Sequence, residues 1–247
     1  SMNNLLTNTY PIINLHKKRS LKSEIVTQMI YGDSFKILEK KNKWFKIKIL
    51  EDNYKGFIKE KKFFKFIKPS HKVFNLYSTI YKHPNKKQKL SKLSFGSKVK
   101  ITQIKGKYGK IQNGWISLNS IKPIKYKEKD IFKRIDIFAN TKYKWGGKTF
   151  KGIDCSALVQ VFFNFNNKFL PRDTGDQIKY LKKDMSIKRI KKNDILFWKG
   201  HVAIAKSKKN LIHAYGPRKK VIFGDTIKTI NLIKKTAKLK LLKIKRI

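Results

Sequence analysis

The chain has 247 residues, and its 61 lysines and arginines outnumber 15 aspartates and glutamates, so the formal net charge is +46 at pH 7. Because 40% of the residues are hydrophobic and 13% aromatic, the chain can build a packed core, which excludes a disordered polybasic polymer. No segment approaches the roughly 18–20 consecutive apolar residues of a membrane-spanning helix. The length allows one large domain or two to three small ones.

The charge excess comes almost entirely from lysine, since only six of the basic residues are arginine. Proteins that read bases or grip phosphate in two places favour the arginine fork. The lysines are also spread evenly along the chain. Dedicated nucleic-acid binding is therefore disfavoured, and a positive surface that attracts anionic polymers is expected instead.

The chain begins Ser-Met-Asn-Asn, which is typical of a cloning remnant ahead of a natural initiator methionine. The first thirty residues contain no compact apolar core followed by a cleavage site, so no secretion signal and a cytoplasmic location are expected. The same beginning would result from the removal of a leader peptide. Export is therefore the alternative.

One pattern occurs twice in the N-terminal half. Residues 31–37 (YGDSFKI) recur at 95–101 (FGSKVKI), and residues 56–58 (GFI) recur at 114–116 (GWI). The second copy is six residues shorter between these anchors, because the offset falls from 64 (95 − 31) to 58 (114 − 56). Short alternating apolar runs broken by Gly and Asn are typical of small β-barrels. We predict two such barrels, at residues 1–69 and 70–122.

After residue 122 the pattern changes to a third domain over 123–247. Ile131, Ile135 and Phe138 have helical spacing, and residues 155–165 carry a second helical pattern. The Lys-Leu alternation near the end favours a closing strand over an amphipathic helix at a membrane surface. Short apolar runs predict strands at 195–198, 201–205, 211–215 and 238–244. Two helices followed by a sheet indicate an α+β domain.

Cys155 is the single cysteine, which excludes an internal disulfide and a multi-thiolate zinc site. Asp154 is a natural N-cap, and the apolar residues that follow lie on one helix face, so a helix is predicted to begin at Cys155. The free amides and positive dipole end of a helix N-terminus favour a thiolate, especially beside a protonated histidine. The amides of Cys155 and Ser156 are placed to bind an oxyanion. These features favour a nucleophile over an inert buried cysteine.

A cysteine nucleophile needs a base, and His201 and His213 both fall in predicted strands. A hairpin that turns near residues 207–208 places residues whose numbers sum to about 414 opposite each other. Since 201 + 213 = 414, the two rings are expected to face each other with Cβ atoms roughly 4.5–5.5 Å apart. One ring would exchange the proton of the sulfur while the other orients it. The remaining histidines fall in the predicted barrels and receive no catalytic role: His16, His71 and His83.

Six motifs within residues 125–247 resemble those of the NlpC/p60 papain-like cysteine peptidases, which cleave peptidoglycan stem peptides. They occur in the order Tyr143-x-Trp145-Gly-Gly, Asp154-Cys155-Ser156, Pro171-Arg172-Asp173-Thr174-x-x-Gln177, Asp194-Ile-Leu-Phe197, His201-Val202 and His213. The two leading barrels resemble bacterial SH3-type (SH3b) domains. The combination is similar to the YkfC-like γ-D-glutamyl-L-diamino-acid endopeptidases, or dipeptidyl-peptidase VI. The implied fold is an α+β papain-like domain after two SH3-like barrels.

The resemblance implies that Cys155 is the nucleophile, His201 the base and His213 the third, orienting residue. Tyr143 would place a hydroxyl near the oxyanion site, which Ser156 also supports. Acidic and aromatic groups at the junction of barrel and catalytic domain would bind the free amino end of L-Ala-γ-D-Glu. The expected substrate-binding set is Glu24, Tyr54, Trp145, Asp154, Asp173 and Thr174.

Three residues depart from the family pattern. Asn193 and Ala203 stand where glycine is common, and Thr174 stands where serine is frequent. The changes at Asn193 and Ala203 affect the fit of the backbone, and Thr174 keeps the hydroxyl of serine. None of the three changes Cys155, His201 or His213.

The expected reaction is hydrolysis of the bond between γ-D-glutamate and a diamino acid, either diaminopimelate or lysine, through a thioester acyl-enzyme. A carboxylate that pairs with the substrate ammonium sets a fixed distance to the scissile bond, which favours short stem peptides with a free N-terminal L-Ala. The alternatives are another cell-wall amidase or transpeptidase on the same scaffold, or a noncatalytic basic protein that binds wall or nucleic acid. Peptidoglycan-derived peptides are the expected partners of a monomer, and no metal or cofactor is implied.

Overall fold

The structure is a computed structural model that describes residues 4–247. Residues 1–3, which form most of the N-terminal segment interpreted as a cloning remnant, lie outside the described residues. The chain forms two β-units followed by a unit of helices and a six-stranded antiparallel sheet. The α+β class predicted from the sequence is confirmed.

The first β-unit is a seven-stranded sheet in the order β3-β2-β6-β5-β4-β1-β7. Its strands are β1 (Leu5–Thr7), β2 (Ile12–His16), β3 (Ile25–Ile30), β4 (Ser34–Lys41), β5 (Trp44–Ile49), β6 (Lys55–Lys59) and β7 (Phe64–Lys65). Alternate side chains point inward and build one apolar core around Leu15, Phe35 and Ile47.

The second β-unit contains a five-stranded sheet, β10-β9-β14-β13-β12, and a three-stranded sheet, β11-β8-β15. Its strands are β8 (His71–Val73), β9 (Tyr77–Tyr81), β10 (Lys89–Ser94), β11 (Lys98–Val99), β12 (Gln103–Lys105), β13 (Tyr108–Ile111), β14 (Gly114–Ser117) and β15 (Ile121–Pro123). Val73, Ile80 and Ile116 lie in its core. Strand β15 ends at Pro123, one residue past the boundary predicted at 122.

The repeated sequence pattern marks the same turn in both β-units. Gly32 and Gly96 have left-handed φ angles of +88° and +84°, which glycine adopts without strain. The copies differ in the loop that follows: residues 50–54 connect β5 to β6, whereas only residues 112 and 113 connect β13 to β14. The longer loop of the first unit reaches the third unit, as described below.

The third unit is built on a six-stranded sheet in the order β18-β23-β19-β20-β21-β22. Its strands are β16 (Lys148–Thr149), β17 (Gly152–Ile153), β18 (Lys183–Met185), β19 (Ile195–Trp198), β20 (His201–Ala205), β21 (Asn210–Tyr215), β22 (Lys220–Asp225) and β23 (Lys243–Arg246). Its helices are α1 (Cys155–Phe165), α2 (Thr174–Tyr180) and α3 (Thr226–Ala237). None of the described helices has both the length and the apolar character needed to cross a membrane.

Three element predictions in this unit need correction. The helix expected around Ile131 is a short 3-10 helix at Ile135–Phe138. Helices α2 and α3 were not predicted, although Asp225 caps α3 by accepting a hydrogen bond from the Lys228 amide at 2.9 Å. The closing strand is β23, and it starts at Lys243 rather than at 238, because Lys238 adopts the left-handed conformation that ends α3.

Helix α1 is buried on nearly all sides, instead of on the single face that its apolar pattern indicated. It packs against β20 and β21 on one side. On another side Phe95 of the second β-unit enters its core, stacking on Phe165 with ring centroids 4.7 Å apart. The buried ammonium of Lys72 donates to the Phe165 carbonyl at the C-terminal end of α1, where the helix dipole favours a cation. The second unit therefore supports the far end of the helix that carries Cys155.

We expect Phe95→Ala to lower the free energy of unfolding by about 3–5 kcal/mol, because it removes an aromatic ring from a closed core. Phe64→Ala is the matched control, since Phe64 is 44% exposed and its loss should cost no more than about 0.5 kcal/mol. Urea unfolding followed by tryptophan fluorescence gives both values. Similar losses in the two variants would contradict the role of Phe95 at this junction.

Candidate active site

Cys155 is the first residue of α1, as the sequence predicted, and Asp154 is its N-cap. The Asp154 carboxylate accepts a hydrogen bond from the Ala157 amide at 3.0 Å. Sγ of Cys155 lies 3.9 Å from the Gly200 carbonyl oxygen. The sulfur therefore faces the start of β20, at the residue before His201.

His201 and His213 form a direct pair. Nε2 of His201 lies 2.8 Å from Nδ1 of His213, and the His213 ring stacks on Tyr215 at 4.6 Å between centroids. The predicted register was wrong by two residues, since the recorded partner Ile204↔Ile212 sums to 416 rather than 414. The two rings consequently meet diagonally across the strands, and long side chains still reach each other at that spacing.

Burial controls the protonation of this group. It raises the pKa of Cys155 to about 12, helped by the negative charge of Asp154. Burial also lowers the pKa of His201 to about 4, and burial together with the charge of His201 lowers the pKa of His213 to about 3. The loss of solvation therefore opposes the thiolate that the helix N-terminus was expected to favour. These shifts favour a thiol and two neutral imidazoles at neutral pH.

Arg172 was part of a quoted motif, but sequence reasoning gave it no role. It is 2% exposed, and its guanidinium grips the Asp154 carboxylate through two hydrogen bonds of 2.9 Å. It also donates to Ser156 Oγ at 2.8 Å and, through Nε, to Thr27 Oγ1 of the first β-unit at 2.8 Å. The signal was available in the sequence, because a carboxylate next to the nucleophile needs a cation once it is buried.

Asp154 was predicted to bind substrate, but both of its oxygens already have partners in the protein. Besides Arg172 and Ala157, the Gly146 amide donates to it at 2.9 Å. Gly146 itself has a left-handed φ of +77°, and a Cβ there would lie 2.4 Å from the Ile25 carbonyl oxygen. Asp154 therefore holds the glycine loop, the helix start and the first β-unit together.

Several hydrogen bonds join the first β-unit to the third around the nucleophile. The Trp145 indole donates to Glu24 at 2.8 Å, and the Tyr54 hydroxyl donates to Asp173 at 3.2 Å. Tyr54 belongs to the 50–54 loop, which is also held by a 3.1 Å hydrogen bond from Gln160 of α1 to Asp52. The predicted amine-binding groups are thus brought together from residues far apart in the chain.

A cavity of about 320 Å³ lies at this junction and is open to Cys155. Three of its lining residues, Lys17, Val26 and Gly200, had no role predicted from the sequence. The predicted site residues that line it are Glu24, Tyr54, Tyr143, Trp145, Asp154, Cys155, Ser156, Asp173 and Thr174. His201 and His213 belong to β20 and β21 and are not among the residues that line the cavity.

Tyr143 contributes a hydroxyl that stays protonated. Its pKa is raised well above the usual range by burial and by the proximity of Cys155 and Asp154. The ring packs over Gly216, where a Cβ would meet its Cε1 at 3.5 Å. Tyr143 can therefore donate a hydrogen bond to an oxyanion at the cavity wall.

Asn193, where the family commonly has glycine, adopts a left-handed φ of +74°. Asparagine tolerates this conformation better than most residues, and its side-chain amide donates to Asp130 at 2.7 Å. The departure is therefore accommodated locally. Within residues 4–247, no group of three or more His, Cys, Asp and Glu side chains is arranged to hold a metal ion.

Because Cys155 is the single thiol, its alkylation by iodoacetamide directly reports the thiolate fraction. With the pKa raised to about 12, we expect the rate to climb steadily from about pH 6 to about pH 10, without a plateau near neutrality. His201→Ala should follow the same curve, since no ion pair is lost. A plateau below about pH 7 that disappears in His201→Ala would instead indicate a resting thiolate–imidazolium pair.

Arg172→Met should lower the free energy of unfolding by about 3–5 kcal/mol, because it leaves the Asp154 carboxylate buried without a counter-charge. Arg218→Met is the control, as Arg218 lies on an exposed turn after β21. Denaturant unfolding of the two variants beside the unaltered protein measures the difference. Equal stability in both would contradict the structural role of the Arg172–Asp154 pair.

Sequence comparisons agree with this architecture. Residues 140–238 match the NlpC/P60 family, and residues 15–63 match the bacterial dipeptidyl-peptidase SH3 domain. Dipeptidyl-peptidase 6 of Lysinibacillus sphaericus is 24% identical over 229 residues, covering 81% of this chain and 84% of that protein. The gamma-D-glutamyl-L-lysine dipeptidyl-peptidase of Bacillus subtilis (strain 168) is 23% identical over 190 residues, covering 70% of this chain and 64% of that protein.

Among solved structures, an NlpC/P60 family protein from Bacillus cereus ATCC 10987 has the same fold. It superposes with a TM-score of 0.82 at 17% sequence identity, covering 98% of this chain and 99% of that one. An NlpC/P60 endopeptidase from Photobacterium damselae subsp. piscicida superposes with a TM-score of 0.67 at 11% identity, covering 98% of this chain and 70% of that one. Residues 140–238 of this chain therefore form an NlpC/P60 peptidase-family domain, which follows a bacterial SH3 domain of the dipeptidyl-peptidase type.

Proposed function

We propose that this chain is a cysteine peptidase that hydrolyses the bond between γ-D-glutamate and the diamino acid of short peptidoglycan stem peptides. One observation carries the proposal: the cavity that holds Cys155 is walled by acidic and aromatic side chains from both the first β-unit and the NlpC/P60 domain. The dipeptidyl-peptidase names of two relatives support the same reaction.

The substrate's free amino end is recognised at the junction. Asp173 and Glu24 supply carboxylates there, and Tyr54 and Trp145 orient them through hydrogen bonds. An ammonium group forms strong charge-assisted hydrogen bonds with carboxylates. Because the first β-unit walls the cavity on this side, we expect it to limit the length of peptide between the amine site and the sulfur, which favours L-Ala-γ-D-Glu. Acylation of the amine removes the charge and adds bulk, and so prevents binding.

In the first half of the reaction, Sγ of Cys155 attacks the γ-carbonyl carbon as its proton passes to His201. His213 holds the His201 ring in place through the 2.8 Å contact. The oxyanion accepts hydrogen bonds from the Cys155 amide, which has no intrahelical partner, and from Tyr143. The C–N bond then breaks, and His201 returns its proton to the leaving amine of the diamino acid. An acyl thioester on Cys155 remains.

In the second half, a water molecule gives a proton to His201 and attacks the thioester carbonyl. The C–S bond breaks, the proton passes back to sulfur, and L-Ala-γ-D-Glu leaves with a free carboxylate. Because the resting group is neutral, each proton transfer accompanies bond formation instead of preceding it. The cytoplasmic location and the monomeric state remain predictions.

Incubation with L-Ala-γ-D-Glu-diaminopimelate should release free diaminopimelate, detected by mass spectrometry. Cys155→Ala should lower turnover by roughly 10³-fold or more, with His201→Ala nearly as damaging. The N-acetylated peptide should be cleaved far more slowly than the free one, because it lacks the ammonium.

Release of diaminopimelate at an unchanged rate by Cys155→Ala would overturn the assignment. Equal cleavage of the free and acetylated peptides would contradict the proposed amine-binding site but not the peptidase assignment. An amidase would instead separate the intact stem peptide from the muramoyl sugar of whole muropeptides, and a transpeptidase would join the acyl group to an added amine, so product masses distinguish these reactions.

A further inference from the structure

Lys17 lines the active-site cavity, and no role has yet been given to it. It directly follows β2, and its amide donates to the Glu24 carbonyl at 2.9 Å, so the two residues lie opposite each other at the end of the β2–β3 hairpin. Its side chain is exposed, and within the described part of the chain it forms no ion pair within 4.0 Å. Lys17 is also the one cationic side chain among the residues that line the cavity.

The rest of the cavity is negatively charged. Glu24, Asp154 and Asp173 line it, and only the charge of Asp154 is matched by a buried cation, Arg172. An anionic group entering this cavity would be repelled by Glu24 and Asp173 unless a cation met it. Lys17 in the wall therefore provides a counter-charge for an anionic group of a ligand whose ammonium the carboxylates bind.

A γ-linked glutamyl residue has this charge pattern, because linkage through its side chain leaves the α-carboxylate free. Three groups radiate from its Cα: the amide that leads to the alanine ammonium, the side chain that ends in the scissile carbonyl, and the α-carboxylate. The cavity offers a carboxylate pair for the first, Cys155 for the second and Lys17 for the third.

We propose that Lys17 binds the α-carboxylate of the γ-D-glutamyl residue and so selects peptides in which this group is free over peptides in which it is amidated. The proposal rests on the function proposed above and adds a specificity-determining residue to it. Contact with three groups on one carbon also distinguishes the D from the L configuration, since exchange of two groups breaks one contact.

The test compares kcat/KM for L-Ala-γ-D-Glu-diaminopimelate and for its α-amide, L-Ala-γ-D-isoglutaminyl-diaminopimelate. The unaltered protein should prefer the acid by roughly tenfold, which corresponds to one charge-assisted contact. Lys17→Met should lose that preference by slowing cleavage of the acid while leaving cleavage of the amide nearly unchanged. Lys17→Arg should retain most of it.

Lys18→Met is the matched control, because Lys18 is the exposed neighbour of Lys17 and does not line the cavity. It should leave the acid-to-amide ratio as it is. Unchanged thermal unfolding of Lys17→Met would show that the variant is folded.

An equal loss on both peptides in Lys17→Met, or an unaltered ratio, would overturn the role of Lys17 while leaving the peptidase assignment in place. Equal cleavage of the acid and the amide by the unaltered protein would also overturn the role of Lys17 without affecting the peptidase assignment. Cleavage of neither peptide would overturn the proposed function, and this inference with it.

Discussion

The buried ion pair between Arg172 and Asp154 is the contact on which the site depends. Its members join three separate parts of the molecule: the start of α1 with Ser156, the Trp145-Gly146-Gly147 loop and, through Thr27, the first β-unit. A buried carboxylate costs several kcal/mol unless a cation satisfies it. Correct assembly of all three parts satisfies it, so the pair links the position of Cys155 to the docking of the first β-unit.

The same burial that positions Cys155 also keeps it from ionising. The helix N-terminus favours a thiolate by up to about 1–2 kcal/mol, whereas desolvation of the buried sulfur opposes it and raises the pKa of Cys155 to about 12. A resting thiol is also less easily oxidised than a thiolate. In the proposed reaction, the substrate's carbonyl supplies the driving force for moving the proton to His201.

The first β-unit acts as a wall of the site in addition to being a separate domain. Its longer 50–54 loop brings Asp52 to Gln160 and Tyr54 to Asp173, and its β2–β3 hairpin brings Glu24 to Trp145. The second β-unit, whose equivalent loop is shorter, instead supports the opposite end of α1 through Phe95 and Lys72. The two copies of the sequence pattern thus have different roles: the first lines the site, and the second supports α1. They differ in the length of the loop before β6 and before β14.

The sequence by itself determined the features that depend on neighbouring residues. The N-cap before Cys155, the glycine turns at Gly32 and Gly96, and the order of the motifs are local, and the structure confirms the helix start and both turns. Tertiary structure decided the rest: the two-residue shift that sets His201 diagonally to His213, the extent of burial around α1, and the meeting of Lys17 and Arg172 with the site. These depend on contacts between residues up to 145 positions apart in the chain. Local propensity and spacing contain no information about such distances, because packing and desolvation arise only when the units dock.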